Sequence, residues 1–183
     1  MKQLMIITCL AFAVASCTNE DKDKTASTTF ETKTDTPADV TLPIPLAMPY
    51  RKWQIMPNND NTIAALTSLK AFIDKDFTAL AATLGDTVDI KLDGFAAKLS
   101  RDSVVKVFSA QRPMYVDLAV TMYDYESVIS ADKKDEYVTL WYKQTWKDEK
   151  GKADSMNVVD DCKMKNGKMI ELDEKVQRFP AKK

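Results

Sequence analysis

Residues 157–176 read NVVDDCKMKNGKMIELDEKV, two strand-like runs joined by a KNG turn, and the way they pair decides the fold. Successive side chains of a strand point to opposite faces, so the register of the pair settles which residues lie together. If Asn166 and Gly167 alone form the turn, Met164 faces Met169, Cys162 faces Glu171, Val158 faces Lys175, and both faces are mixed. If Lys165, Asn166 and Gly167 form a three-residue loop with Gly167 left-handed as a bulge, Met164 faces Lys168. The pairs are then Cys162 with Ile170, Asp160 with Leu172, Val158 with Glu174, Met156 with Val176, and Asp154 with Arg178. This second register sorts Met156, Val158, Cys162, Met164, Ile170, Leu172 and Val176 onto one face, and burial selects it.

Asp160 and Glu174 stay on that apolar face as diagonal neighbours, with Asp154 and Arg178 expected as an ion pair farther out. A buried carboxylate is costly unless it finds a cation, accepts hydrogen bonds, takes up a proton or faces a wet cavity. Two readings follow. Either the strands curl, so that the ends of this face reach solvent or meet Lys70, Arg101 or Arg112 from the helices, or the acids line a pocket together with Trp141 and Tyr142. Cys162 points inward in this register and is expected to be a small core residue rather than a nucleophile.

Working outward, the sequence places helices first and strands after. LPIPLAMPYRKWQIMP, residues 42–57, carries four prolines among apolar residues and is expected to lie extended, anchored by Trp53. NNDN supplies capping residues for a helix on which Ile63, Leu66, Leu69 or Lys70, and Ile73 recur at helical spacing. A second helix carries Phe77, Leu80, Ala81 and Leu84, with a break near Asp74–Asp76 and an end at Gly85. DTVDIKLDGFAAK is a strand and a Gly94 turn; Ser100 caps a third helix that Pro113 stops. Four strands follow, separated by DKK, DEKG and KNG, the last one carrying the quoted ending. Helices followed by antiparallel strands define an α+β domain, here expected over residues 46–183.

The chain opens MKQLMIITCLAFAVASC, with one lysine, an apolar run from Leu4 to Val14 and small residues before Cys17. The run is too short for a membrane span and has the layout of a secretory signal, residues 1–16. Val14-Ala15-Ser16-Cys17 resembles the lipobox of bacterial lipoproteins, which implies an acylated Cys17 and attachment to a membrane of the cell envelope. Residues 17–45, rich in Thr, Asp, Glu and Lys, bury too little apolar surface to fold and are expected to be a tether. Thr18 resembles outer-membrane sorting, and Glu20, Asp21 and Asp23 resemble surface-export signals.

Composition excludes several classes. Without residues 1–16 the chain carries 25 basic against 27 acidic side chains, so no basic excess points to nucleic acid. The sequence contains 0 His, which removes Ser-His-Asp and Cys-His catalysis and histidine-ligated zinc. With Cys9 in the signal and Cys17 acylated, Cys162 has no partner for an internal disulfide. No cofactor or metal is expected.

WQIMP before the first helix, GDTVDIKLDG after the second, and WKDEKGKADS with KNGKMIELDE at the end resemble the NTF2-like superfamily, in particular its SnoaL-like and ketosteroid-isomerase-like members. The resemblance covers about residues 53–180 and implies helices on a strongly curved antiparallel sheet that forms a cone with a pocket. In isomerase-like members an acid just before the corner of the first strand transfers the proton; the resemblance points to Asp93 in KLDG, or Asp89. It places Asp160 on a strand whose inward positions line the pocket, and leaves Tyr115, Tyr123, Tyr125 and Tyr142 as candidates for polarising a carbonyl. Three functions stand open: a membrane-anchored binding or accessory domain for a small, partly apolar ligand, an enzyme moving a proton with Asp93 or Asp160, and a homodimerisation or interaction module. The third draws on residues 135–146, where Tyr137 and Trp141 alternate with Val138, Leu140 and Tyr142, so that both faces are apolar.

Overall fold

The computed structural model describes residues 52–179. The signal, Cys17 and the tether lie outside the described residues. The chain runs through β1 (Gln54–Ile55), α1 (Asp60–Asp74), α2 (Phe77–Thr83), β2 (Leu84–Leu92), β3 (Phe95–Ser100), α3 (Arg101–Gln111), a 3₁₀ turn (Arg112–Met114), β4 (Val116–Ile129), β5 (Glu136–Lys147), β6 (Ala153–Lys165) and β7 (Lys168–Arg178). The strands form one sheet in the order β1-β4-β5-β6-β7-β2-β3, antiparallel except where β2 meets β7. The expected α+β architecture is present. Helix α1 lies against β4, β5 and β7, and α3 against β2 and β3. The core between these layers contains Leu84, Val88, Ile90, Val104, Val138, Leu140 and Val158. Bulges interrupt β4 twice, at Val116/Ala119 and Met122/Asp124, and such insertions bend a strand and increase its twist.

The β6–β7 hairpin corrects the expected register. Asn166 and Gly167 both adopt left-handed backbone, φ 52° and 70°, as a two-residue turn requires, and Lys165 pairs with Lys168 and Met164 with Met169. The bulge comes one pair later: Lys163 pairs with Glu171, so Ile170 is the extra residue. Beyond it the partners are Cys162 with Leu172, Asp160 with Glu174, Val158 with Val176, and Met156 with Arg178. This differs from the expected pairing by two residues, and a shift of two keeps every side chain on its face. From Leu172 onward the sorting into faces therefore stands while the partners change; before the bulge Met169, buried and paired with Met164, takes the inward place expected of Ile170. Asp160 and Glu174 are direct partners rather than diagonal ones, and Asp154 sits opposite Trp146 rather than Arg178.

The bulge also explains Gly85, which was expected to end α2. The helix ends one step earlier, with Leu84 already extended at φ −92°, ψ 147°, and Gly85 belongs to β2. A Cβ on Gly85 would stand 3.0 Å from Cγ2 of Ile170, so the bulged isoleucine occupies the space that the missing side chain leaves.

Helix α1 turns a different stripe inward from the one its large apolar residues suggest. Ile63 is 61% exposed, while Thr62, Ala65, Ser68 and Ala71 are buried. Small residues let the helix axis sit close over the sheet, and Leu66 and Leu69 fill the margins. Its C-terminal end is held by Arg112, whose guanidinium donates to the carbonyls of Phe72 (3.0 Å), Ile73 (2.8 Å) and Tyr115 (2.6 Å). Ser100 caps α3 as expected, its Oγ accepting from the Ser103 N–H at 3.3 Å.

Gly85→Val should destabilise the domain by about 1–3 kcal/mol through overpacking against Ile170. Urea denaturation of the single variant and of Gly85→Val/Ile170→Ala checks this, the second change restoring part of the loss if the bulge is the cause.

Candidate functional site

The inward faces of β5, β6 and β7 carry more polar groups than a sealed core needs. Tyr142 and Gln144 on β5, Asp160 and Cys162 on β6, and Glu174 on β7 all border a cavity of about 70 Å³ that α1 and α3 cover with Ser68, Phe72, Phe108 and Gln111. The β6–β7 register brings the two acids side by side at its floor, and alternation along β5 brings the tyrosine hydroxyl to them. Tyr142 donates to Asp160 Oδ2 at 2.9 Å. The other oxygen, Oδ1, is buried and without a partner.

Burial dominates the electrostatics. Asp160, 6% exposed, is pushed up to about 8, first by loss of water and second by the negative charge of Glu174; the Tyr142 hydrogen bond opposes both. Glu174 is raised as well, mainly by burial and then by Asp93, with Arg178 acting in the opposite direction. Tyr142 and Cys162 are raised by burial above all, so both hold their protons at neutral pH. Tyr115, which accepts from Gln111 Nε2 at 3.4 Å, is raised for the same reason. Near pH 7 the cavity therefore holds a neutral Asp160, able to donate as well as accept.

The expected partners of the acids are engaged elsewhere. Lys70 pairs with Asp74, Arg101 with Asp86, and Arg112 with backbone carbonyls. Asp93 does not reach the cavity. It stands in the Asp93-Gly94 turn, 55% exposed, and pairs with Arg178 at 3.0 Å, influencing Glu174 only through its charge. Asp89 alternates with buried Val88 and Ile90 and does not border the cavity either. Trp141 faces the opposite side of the sheet, where a groove also borders Tyr123, Val159 and Lys175. Tyr123 and Tyr125 are exposed. Of the residues singled out from the sequence, Asp160, Glu174, Tyr142 and Tyr115 border the cavity; Asp93, Asp89, Trp141, Tyr123 and Tyr125 do not, and Cys17 lies outside the described residues.

Ser68, Gln111 and Gln144 were not foreseen, while Tyr115, a candidate by type, does border the cavity. Gln144 carried a usable signal, since it continues the inward alternation of Val138, Leu140 and Tyr142. Ser68 carried one as well, three residues after Ala65 on the small-residue stripe of α1. Gln111 and Tyr115 flank a 3₁₀ turn that local spacing does not reveal.

With this geometry, the solved structures that resemble the chain share one architecture. An LEH-like epoxide hydrolase of M. tuberculosis superposes with a TM-score of 0.53 at 15% identity, covering 67% of this chain and 86% of its own. An NTF2-like protein of Burkholderia pseudomallei gives 0.52 at 15% identity, covering 64% and 91%. A protein of Catenulispora acidiphila with a ketosteroid isomerase-like fold, solved in complex with trimethylamine, gives 0.51 at 10% identity, covering 61% and 83%. No family model and no curated protein matches the sequence. The chain thus has the NTF2-like α+β cone fold, one found in an epoxide hydrolase-like protein and in a hydroxylase-like one, so the fold does not choose among chemistries.

Stability should report the proton on Asp160. The unfolded chain releases it near pH 4 and the folded chain near pH 8, so between these values the native state binds more protons and its stability falls as pH rises. The loss is on the order of a few kcal/mol from pH 5 to pH 9. Urea midpoints across that range test it: Asp160→Asn, which keeps an acceptor for Tyr142, should flatten the slope and leave the variant the more stable protein at pH 9.

Proposed function

We propose that the chain is a lipid-anchored domain of the bacterial cell envelope that binds a small, partly apolar molecule in its NTF2-like cavity. The observation that carries this reading is the Asp160 carboxyl: it is buried, one oxygen has no partner within the protein, and it borders an apolar-walled cavity. A buried polar atom left unpaired costs about 1–3 kcal/mol, a cost that a bound hydrogen-bonding ligand removes. The cavity is smaller than the roughly 300–1,000 Å³ clefts that take drug-sized molecules, so the recognised group has few heavy atoms. The anchor rests on the Val14–Cys17 lipobox resemblance and the polar tether after it, which together give a domain held at the outer membrane through Cys17.

Two experiments address the two halves. Native mass spectrometry of the full chain against a panel of small polar and apolar molecules should show a retained species that Ser68→Leu, which fills the cavity from α1, expels. No retained species across the panel overturns the binding reading. Cys17→Ser should move the protein from the membrane fraction to the soluble one; unchanged fractionation overturns the anchor.

A second reading, proton-transfer catalysis, draws on the direct pairing of Asp160 with Glu174 and the raised proton affinity of both. It assigns the acid role to Asp160 and leaves Asp93, outside the cavity, without a part. Any turnover found should fall at least a hundredfold in Asp160→Asn and be indifferent to Asp93→Asn in kcat.

A further inference from the structure

The walls of the cavity are one-sided in charge. Two carboxyl groups from adjacent strands lie side by side on its floor, and none of its lining residues is a lysine or arginine. The hydroxyl of Tyr142 is spent on Asp160 Oδ2, and the amide of Gln111 on Tyr115. Asp160 Oδ1 has neither donor nor cation. The opposite wall is aromatic, with the rings of Phe72 and Phe108 edge to face at 5.6 Å and Tyr115 6.3 Å from Phe72. Ring faces attract cations, and carboxylates need them.

We infer that the ligand is a small organic cation, an alkylammonium group whose N–H bonds go to Asp160 Oδ1 and Glu174 and whose carbon atoms lie against Leu69, Phe72 and Phe108. This deepens the binding reading and rests on it. A metal ion fits the wall poorly, because among the described residues no group of three or more acidic or thiol side chains converges. A neutral carbonyl compound would engage only one acid and leave the second without a role.

The charged groups around the acids are paired away from the cavity. Behind Asp160 the neighbouring Asp161 is paired with Lys175 at 2.8 Å on the other face of the sheet. From β5 only Tyr142 faces it, and Cys162 follows on its own strand. Glu174 meets Arg178, itself bound to Asp93, toward the end of β7. Helices α1 and α3 contribute no titratable lining residue; Arg112 beyond Phe72 is held by three carbonyls and does not border the cavity.

Binding is then an exchange of cations. The free protein holds a proton at the acid pair, an ammonium ligand arrives with its own charge, and the displaced proton leaves to the buffer. For one proton displaced, affinity rises about tenfold per pH unit between pH 6 and 8. A ligand of three or four heavy atoms binds in the millimolar range, so NMR titration of the full chain is the suitable measurement. Propylammonium, propanol, acetone and propionate serve as probes of similar size and different charge. The expected result is that propylammonium alone shifts resonances of Asp160, Glu174 and Phe72, with the stated pH dependence, and binds at least tenfold more weakly to Asp160→Asn and to Glu174→Gln. Binding of acetone or propanol at the same resonances, stronger at pH 6 than at pH 8, overturns the cation and leaves the binding reading standing. Saturation by none of the four, or propylammonium binding that neither variant weakens, overturns the inference; in the first case the ligand panel decides whether the broader reading falls with it. Glu174, less buried than Asp160, provides the variant that folds should Asp160→Asn fail to.

Discussion

Two residues with left-handed backbone, Asn166 and Gly167, set the geometry on which the rest of the domain depends. A two-residue turn allows one register at its own end of the hairpin, and the bulge at Ile170 then moves β7 by one residue. Without that step Asp160 would face Asp173, and because cross-strand partners share a face, Glu171 and Asp173 would turn inward while Leu172, Glu174 and Val176 turned outward. With it, Leu172 and Val176 stay on the core face and Glu174 lies beside Asp160 at the floor of the cavity. The same bulge needs room against β2, which Gly85 provides where β2 and β7 run parallel.

The cavity is a place where folding and binding make opposite demands. Apolar side chains at positions 160 and 174 would be expected to stabilise the domain, since they would remove the desolvation of two carboxyls and fill space. The chain keeps acids there and supports one of them with a single tyrosine. Arg112 tells the contrasting story: its charge is equally buried, yet three carbonyls satisfy it, and its task is to hold the C-terminal end of α1 over the sheet. The buried polar group at 112 is satisfied and structural, whereas at 160 one oxygen is left without a partner.

Much of this was legible in the sequence, for definite reasons. Period-two alternation identified the inward face of β6 and β7, including both acids, because a face survives any even shift of register. The partners were not legible, since a bulge one pair beyond a turn leaves no mark in composition. The stripe of α1 was misread because Ile63 and Ile73 outweigh Ala65 and Ser68 on any hydrophobicity argument, while the packing favoured small side chains. Gly85 looked like a helix end because glycine commonly is one; its strand role depends on Ile170, 85 positions away in the chain. Asp93 was placed in the site by resemblance alone, and the structure gives it to Arg178. Trp141 and Tyr142 are adjacent in a strand and therefore could not both face the cavity.

Cys162 gives the cavity a clock. It is 1% exposed, it borders the same space as Asp160, and it is the one cysteine among the described residues. A thiol so placed meets a bulky reagent only when the helical cover lifts from the sheet, and a bound molecule that holds the cover down slows that meeting. The rate at which this sulfur is modified thus measures how often the cone breathes, with no label introduced.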